Sequence, residues 1–120
     1  MSRNNVPQEA QRSGRFQAEE RTLGGYLIHP AARAKIESVV NAFDFEHPEH
    51  RFLFSALKSL RERGEAIEQS TVVRELVERG ARERLTENVA GLERRCRNAG
   101  HPIEATTLDA ARALRAASGE

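Results

Sequence analysis

The segment "EHPEH", residues 46–50, has the residue types and the spacing that could bind a metal ion. His47 and His50 are three residues apart, each with a glutamate beside it, and this spacing could place two ligands on one face of a helix. No further ligand cluster follows, although a closed zinc site needs four ligands. Pro48 marks a helix start, where polar side chains usually cap the helix or face solvent. We therefore predict no metal site here and a capping or surface role for the histidines.

Cys96, in the run "ERRCRN", is the single cysteine of the chain. Its arginine neighbours could lower the pKa of the thiol, but no histidine lies close in sequence, and a lone cysteine on a helix is usually a small buried group. Only two aspartates, Asp44 and Asp109, are available to a Ser/His/Asp arrangement, and the GxSxG pattern is absent. The sequence thus predicts no catalytic residue.

A nucleotide-binding loop is also missing from the sequence. A P-loop needs GxxxxGK followed by Ser or Thr, and neither of the two lysines, Lys35 and Lys58, follows a glycine. The dinucleotide-binding pattern GxGxxG is absent as well. We therefore predict no cofactor and no enzymatic activity.

Composition and length predict one small helical domain. The chain has 120 residues, and 19 Lys and Arg against 18 Asp and Glu leave a net charge of +1, which provides no strong field for nucleic acid or an anionic membrane. Few residues are aromatic, and Ala, Arg, Glu and Leu dominate, which favours helices. The single cysteine, the polar N-terminus and the lack of an apolar run of about 18 residues predict a cytoplasmic protein without membrane contact.

Two adjacent glycines in "RTLGGYLIHP", Gly24 and Gly25, stand inside a helical pattern. Phe16, Leu23 and Leu27 recur at i, i+7 and i+11, whereas a Gly-Gly hairpin would need alternating apolar residues on both sides. Each glycine inside a helix costs about 1 kcal/mol relative to alanine, so a compensating contact is expected. We predict that the bare backbone lets another helix pack closely. The candidates for helix packing or an interface are Leu23, Gly24, Gly25, Leu27 and Ile28.

Prolines and glycines divide the chain into five or six helices. Residues 1–15 are polar and aperiodic, which predicts a disordered arm. Pro30 and Pro48 are placed to start the second and third helices. Gly64 and Gly80 are placed to end the third and fourth helices, where glycine adopts the left-handed conformation. We therefore predict an all-α fold, a small domain of orthogonally packed helices.

Apolar residues at helical spacing predict the core. In the second helix the inward positions are Ile36, Val39, Val40 and Phe43. In the fourth, with Ser70 as its cap, they are Val72, Val73, Leu76 and Val77. The fifth helix is predicted from about Thr86 to Arg97 and the last over residues 103–117, with Val89, Leu92, Leu108, Ala111 and Leu114 inward. The main core candidates are Phe45, Phe54, Leu57, Leu60, Val72 and Leu76.

The run "STVVRELVERGARERLTENVAGLERRCR", residues 70–97, allows a different interpretation. It contains two helices around a glycine-bearing connection, with arginines on the second, as in a helix-turn-helix DNA-binding motif. From Arg74 to Arg97 there are seven arginines and five glutamates. Interleaved Arg and Glu are typical of a solvated helix face, and the predicted connection is longer than the three or four residues of that motif. A helix-turn-helix regulator stays an alternative hypothesis.

The run "AEERTLGGYLI" followed by "DFEHPEHRFLFSALKSLRERGEAIEQSTVVRELVERG" resembles the N-terminal domain of the bacterial replicative helicase, the DnaB family. Members of that family carry AEQxxLGGxLL, then DFYxxxHxxIFxAIxxLxxxGxPxDxxTV, then xxEL and a glycine. The resemblance covers residues 17–80 and continues loosely through "HPIEATTLDAARALR". The matching residues are Ala18, Glu19, Leu23, Gly24, Gly25, Leu27, Asp44, Phe45, His50, Phe54, Ala56, Leu57, Leu60, Gly64, Ile67, Thr71, Val72, Leu76 and Gly80.

The resemblance implies an all-helical domain that self-associates and forms the collar of the helicase ring, where it contacts primase and loader proteins. In that family a separate RecA-like motor domain hydrolyses ATP, and these 120 residues do not include it. The chain departs from the family pattern at "TENVAGL", where a glycine pair and a tyrosine are usual, and at Glu68, where aspartate is usual. The second arm of the family's helical hairpin is absent.

We therefore expect a non-enzymatic protein–protein interaction module of DNA replication. It would comprise an arm (1–15), a helical head (16–98), and a turn with a C-terminal helix (99–120) that is a candidate first arm of the hairpin. The expected partners are a second copy, giving a dimer, and a replicative helicase, primase or loader protein, with direct DNA binding weak or absent. The sequence leaves open whether the chain is a fragment or freestanding, and whether it assists or inhibits replication.

Overall fold

The computed structural model describes residues 14–98 and 104–118. These residues form six α-helices and no strand, which confirms the predicted all-α class. The helices are α1 (Gly14–Ile28), α2 (Arg33–Val39), α3 (Pro48–Glu62), α4 (Gln69–Glu78), α5 (Glu83–Asn98) and α6 (Glu104–Ser118). Two short 3₁₀ turns, Pro30–Ala32 and Ala42–Asp44, lie before α2 and before α3. Within the described residues, no helix has the length and apolar character needed to cross a bilayer.

Prolines and glycines set several helix boundaries where the sequence predicts them. Pro48 is the first residue of α3, as predicted. Pro30 follows the end of α1 but begins the 3₁₀ turn Pro30–Ala32, so α2 starts at Arg33 and not at Pro30 as predicted. Gly64 and Gly80 follow α3 and α4 with φ angles of 76° and 81°, in the left-handed region that favours glycine. The amide of the next residue donates to a carbonyl in the last helical turn, at 3.0 Å after Gly64 and 2.9 Å after Gly80. Both helices therefore end in a glycine cap.

The first and fifth helices begin earlier than predicted. α1 begins at Gly14, so the last two residues of the predicted arm are helical, while residues 1–13 and the predicted turn at 99–102 lie outside the described residues. α5 begins at Glu83 and not near Thr86. A glutamate in the first turn interacts favourably with the helix dipole, which supports this earlier start.

The start of α4 is capped differently from the prediction. Ser70 lies inside α4 and is not its cap. The amide of Glu68 donates to the hydroxyl of Thr71 at 3.0 Å, so the residue before α4 pairs with the third residue of the helix.

Two apolar residues that the periodicity places in the core are exposed. Phe43 is 79% exposed and Val77 is 61% exposed. α2 ends at Val39 and the next residue is extended, so the helical spacing does not continue to Phe43. On α4, Val72 and Leu76 form the buried stripe, and Val77 lies about 100° around the helix from Leu76.

The core lies where α1, α3, α4, α5 and α6 meet. All six of its main candidates are buried, namely Phe45, Phe54, Leu57, Leu60, Val72 and Leu76. The rings of Phe45 and Phe54 are 4.9 Å apart, and the buried Tyr26 ring meets Phe54 edge-on at 5.8 Å. Ala111 and Leu114 of α6 join the same core. A role for α6 as the first arm of a hairpin stays a prediction.

The two adjacent glycines of α1 explain how this helix lies between α5 and α6. A Cβ atom on Gly24 would lie 2.0 Å from Sγ of Cys96 on α5. A Cβ atom on Gly25 would lie 2.2 Å from Oγ1 and 2.3 Å from Cγ2 of Thr107 on α6. Neither contact leaves room for even a methyl group, so the glycine backbone lets both helices approach α1.

We expect Gly25→Ala to destabilise the fold by about 1–3 kcal/mol through overpacking, although alanine is the better helix former. The three nearest atoms all belong to Thr107, and its Cβ atom is one of them, at 2.7 Å. Rotating the Thr107 side chain therefore cannot remove the clash, and α6 would have to shift. The control is Gly91→Ala in α5, where the nearest atom, Nη1 of Arg95, lies 3.3 Å away on a flexible side chain. This control should be neutral or stabilising by up to about 1 kcal/mol. Urea unfolding measures both, and equal stabilities would contradict the close helix contact.

Candidate interaction surface

The residues that the sequence marks for helix packing or an interface lie between helices of this chain. Leu23, Gly24, Gly25 and Leu27 are buried, and Ile28 is half-buried. Their face of α1 is covered by other helices of the same chain, most extensively by α6. A partner surface must therefore be sought on other faces.

A buried carboxylate, Glu19, joins α1 to the start of α3. Its side chain is 1% exposed and accepts hydrogen bonds of 2.6 Å from the amide of Glu46 and from Nδ1 of His50. The Nε atom of Arg15 lies 3.9 Å from the same carboxylate. A buried charge is tolerated when it is paired and hydrogen-bonded, so these donors allow a glutamate on the buried face of α1. The sequence analysis missed this contact.

The two histidines of "EHPEH" pack together with Phe16. The rings of His47 and His50 are 4.8 Å apart, and the Phe16 ring lies 5.5 Å from His47 and 4.9 Å from His50. The prediction was a capping or surface role for these histidines. Capping is wrong, because the His47 side chain makes no capping hydrogen bond and His50 is bonded to Glu19, and both histidines are half-buried. In the described part of the chain, no group of three His, Cys, Asp or Glu side chains could hold a metal ion.

Asp44, in the turn before α3, holds the end of α6. Its buried carboxylate accepts hydrogen bonds from the Asn41 amide at 2.8 Å, from Nη1 of Arg115 at 3.3 Å and from the Ser118 hydroxyl. Burial alone would raise the pKa of Asp44, but the hydrogen bonds from Ser118, Asn41 and Arg115 bring it below its ordinary value. The 3₁₀ turn and the last turn of α6 are thereby fixed to each other.

A groove of about 670 Å³ lies between α1, α3 and α5, with buried apolar residues as its floor. Two ion pairs join its walls: Arg84 of α5 donates to Glu49 of α3, and Arg95 of α5 donates to Glu20 of α1, both at 2.9 Å. The hydrogen bond from Arg84 lowers the pKa of Glu49. The two ion pairs thus connect α5 to α3 and to α1.

The connection between α4 and α5 is shorter than the sequence analysis expects. α4 ends at Glu78 and α5 begins at Glu83, so four residues join them, a length that fits a helix-turn-helix. The longer predicted connection is wrong, because it placed the start of α5 near Thr86. Two arginines of α5, Arg84 and Arg95, pair with glutamates of this chain, so phosphate binding by these two side chains would have to displace a carboxylate.

Cys96 packs against α1 as a half-buried group. Its Sγ atom lies 3.8 Å from the carbonyl oxygen of Glu20. Burial raises the pKa of the Cys96 thiol, and the nearby Glu20 carboxylate raises it further. Arg95 and Arg21 lower this pKa, as the sequence suggests for arginine neighbours, but burial and Glu20 outweigh them. The thiol has the packing role that a lone helical cysteine usually has.

Phe43 stands on the surface as an exposed aromatic ring. The guanidinium carbon of Arg51 lies 5.8 Å from the ring centre. Beside the ring, a cavity of about 390 Å³ follows the outward face of α3 as far as Arg79. We define the Phe43 surface as Phe43, Ser55, Lys58, Ser59 and Glu62. An aromatic side chain beside a cavity is the arrangement found at energetic centres of protein interfaces.

Glu75 of α4 pairs with two arginines, Arg63 directly after α3 and Arg79 at the end of its own helix. Its buried carboxylate accepts hydrogen bonds from Arg63 at 2.6 Å and from Arg79 at 2.7 Å. The hydrogen bonds from Arg63 and Arg79 lower the pKa of Glu75 to about 2. The position of α4 on α3 therefore depends on a charged carboxylate.

Comparisons with known proteins agree with this architecture. Residues 11–105 match the family described as the DnaB-like helicase N-terminal domain. A stretch of 63 residues is 38% identical to the replicative DNA helicase DnaB of Leifsonia xyli subsp. xyli (strain CTCB07), and it covers 52% of this chain and 14% of that helicase. The crystal structure of the N-terminal domain of DnaB helicase from Mycobacterium tuberculosis superposes with a TM-score of 0.75 and 27% identity, covering 86% of this chain and 69% of that one.

We expect Glu19→Ala to destabilise the fold by about 3 kcal/mol, because it leaves two donors unpaired next to a buried site. The matched control is the neighbouring Glu20→Ala, which removes only a partly exposed ion pair with Arg95 and should cost less than about 1 kcal/mol. Urea unfolding followed by circular dichroism measures both variants. Similar losses in the two variants would show that the Glu19 contacts contribute little to stability.

Folding lowers the pKa of Glu75 from 4.5 to about 2. The charged carboxylate therefore contributes to stability fully above the unfolded-state pKa of 4.5, and this contribution is lost as the pH falls through the folded-state pKa of about 2. We expect Glu75→Gln to lower stability at pH 7 by about 1 kcal/mol, a modest loss because both arginines are partly exposed. The same variant should show a smaller drop in melting temperature than the wild type between about pH 6 and pH 3. Glu78→Gln on the exposed side of α4 is the control for removing one carboxylate, and it should cost less stability at pH 7 than Glu75→Gln.

Proposed function

Because the chain belongs to the family of DnaB-like helicase N-terminal domains, we propose that it is a non-enzymatic protein–protein interaction module of DNA replication. The observation that carries this proposal is the family match over residues 11–105. The match to the DnaB helicase covers only 14% of that protein. The 120 residues contain no phosphate-binding loop, so we propose no ATP-dependent activity for them.

The proposed partners are a second copy of the chain, the head domain of a replicative helicase, primase and a loader protein, met in the cytoplasm. Since the glycine-bearing face of α1 is enclosed, such a partner would use an outward face of the molecule. The exposed ring of Phe43 beside a cavity supports contact with a protein. The net charge of +1 and the paired arginines of α5 support weak or absent direct binding to DNA.

A helix-turn-helix regulator of DNA is the second candidate function. The four-residue connection between α4 and α5 favours it, because that length fits the motif. The ion pairs of Arg84 and Arg95 count against it, because phosphate binding would have to compete with carboxylates already in contact. The two functions differ in how binding depends on salt.

We expect the purified chain to form dimers at micromolar concentrations and to bind the immobilised head domain of the replicative helicase, or the primase, of the same organism. Sedimentation velocity measures the first expectation and biolayer interferometry the second, with an unrelated helical domain of similar charge as the control. A chain that is monomeric throughout and binds neither protein would refute the proposal.

Titration with random duplex DNA tests the second candidate. Phosphate-driven binding would appear at about 50 mM salt and weaken by orders of magnitude at 200 mM, whereas we expect no binding at either concentration. Adding the chain to a helicase unwinding assay then distinguishes a module that assists the helicase from one that inhibits it.

A further inference from the structure

We infer that the Phe43 surface is where a second copy of this chain docks, in a two-fold contact between the α3 helices of the two copies. This inference rests on the proposed function, which includes self-association, and it names the surface responsible. Three observations support this inference: the exposure of Phe43, the cavity beside its ring, and the charged side chains of Lys58 and Glu62 on α3.

The Phe43 surface contains both an exposed aromatic ring and a cavity. The ring of Phe43 is 79% exposed, so residues 14–98 and 104–118 do not bury it. The cavity of about 390 Å³ begins beside this ring and extends along α3 to Glu62 and Arg79. A two-fold axis brings the same patch of both copies together. In an antiparallel arrangement of the two α3 helices, the Phe43 ring of each copy would face the cavity of the other.

The charges of the Phe43 surface also complement each other across such an axis. Lys58 and Glu62 lie one turn apart on α3, and neither takes part in an ion pair with any residue that the structure describes. Lys followed four residues later by Glu is the less favourable order for pairing within one helix. Between antiparallel α3 helices, Lys58 of each copy would meet Glu62 of the other. The small side chains of Ser55 and Ser59 let the two helices approach.

A second copy fits this surface better than a partner helix with a single sign of charge. An acidic helix would meet Glu62, and a basic helix would meet Lys58 and Arg79. Arg79 is already paired with Glu75, so Lys58 and Glu62 are the charges that a partner must match. A partner that carries both signs in the reverse order matches these two, and a second α3 does so. The 15 residues of α3 span about 22 Å. The contact is therefore small, and we expect a reversible, concentration-dependent dimer.

Sedimentation velocity of the full chain and its variants tests this inference. Phe43→Ser should weaken dimerisation about tenfold or more, equivalent to 1.4 kcal/mol. Lys58→Glu and Glu62→Lys should each weaken it, and the double variant should recover to within about threefold of the wild type, because the reversed charges pair again. The matched control is Val77→Ser, which removes the other large hydrophobic residue that is exposed in the described part of the chain and should leave dimerisation unchanged. Circular dichroism melting checks that each variant folds.

The outcomes separate this inference from the proposed function. A wild-type dimer that Phe43→Ser and both single charge reversals leave intact would overturn the inference, while self-association would stand. A monomeric wild type would also overturn the inference, and the proposed function would then depend on binding to the helicase or primase. Loss of dimerisation in Phe43→Ser and both single reversals, with recovery in the double variant, would support the inference.

Discussion

The fold depends on two adjacent residues of α1 that have no side chain. Successive helical residues point about 100° apart, so Gly24 and Gly25 face different neighbours, α5 through Cys96 and α6 through Thr107. Residues 22–27 are all buried as a result, and α1 packs against four helices, α2, α3, α5 and α6. The helix propensity that the two glycines lose, about 2 kcal/mol, is offset by this packing.

A surrounded helix must satisfy its polar groups inside the protein. The Glu19 carboxylate does so through His50 and the Glu46 amide, while the Tyr26 hydroxyl donates to Glu37 at 2.6 Å. Burial and the hydrogen bond to Glu37 raise the pKa of Tyr26, so the hydroxyl keeps its proton and remains a donor. These contacts require one arrangement of α1 relative to α2 and α3, since a shift of one turn would leave a buried charge unpaired.

Local sequence patterns predicted the parts of this fold that depend on neighbours in the chain. Gly64 ends its helix as expected, because a left-handed cap depends only on the adjacent backbone. Phe43 was misplaced, because periodicity identifies a buried face only while the helix continues, and α2 had already ended. The pair of Glu19 and His50 spans 31 residues, so only tertiary packing reveals it. A glutamate one turn before Leu23 on an apolar stripe was the one local signal of a buried partner.

The packing around α1 also determines how the Phe43 ring is presented. The Asn41 side chain accepts a hydrogen bond from the Phe43 amide at 2.8 Å, and the adjacent Asp44 is held by Arg115 and Ser118 of α6. α6 in turn reaches this position because Gly25 lets it lie against α1. The backbone turn that carries the exposed ring is thus fixed by hydrogen bonds on both sides, and a partner need not order this turn on binding. Since ordering costs reduce affinity, a small contact centred on Phe43 can still be specific. The glycine pair is therefore linked to the outer surface through α6, although it is itself out of reach of any partner.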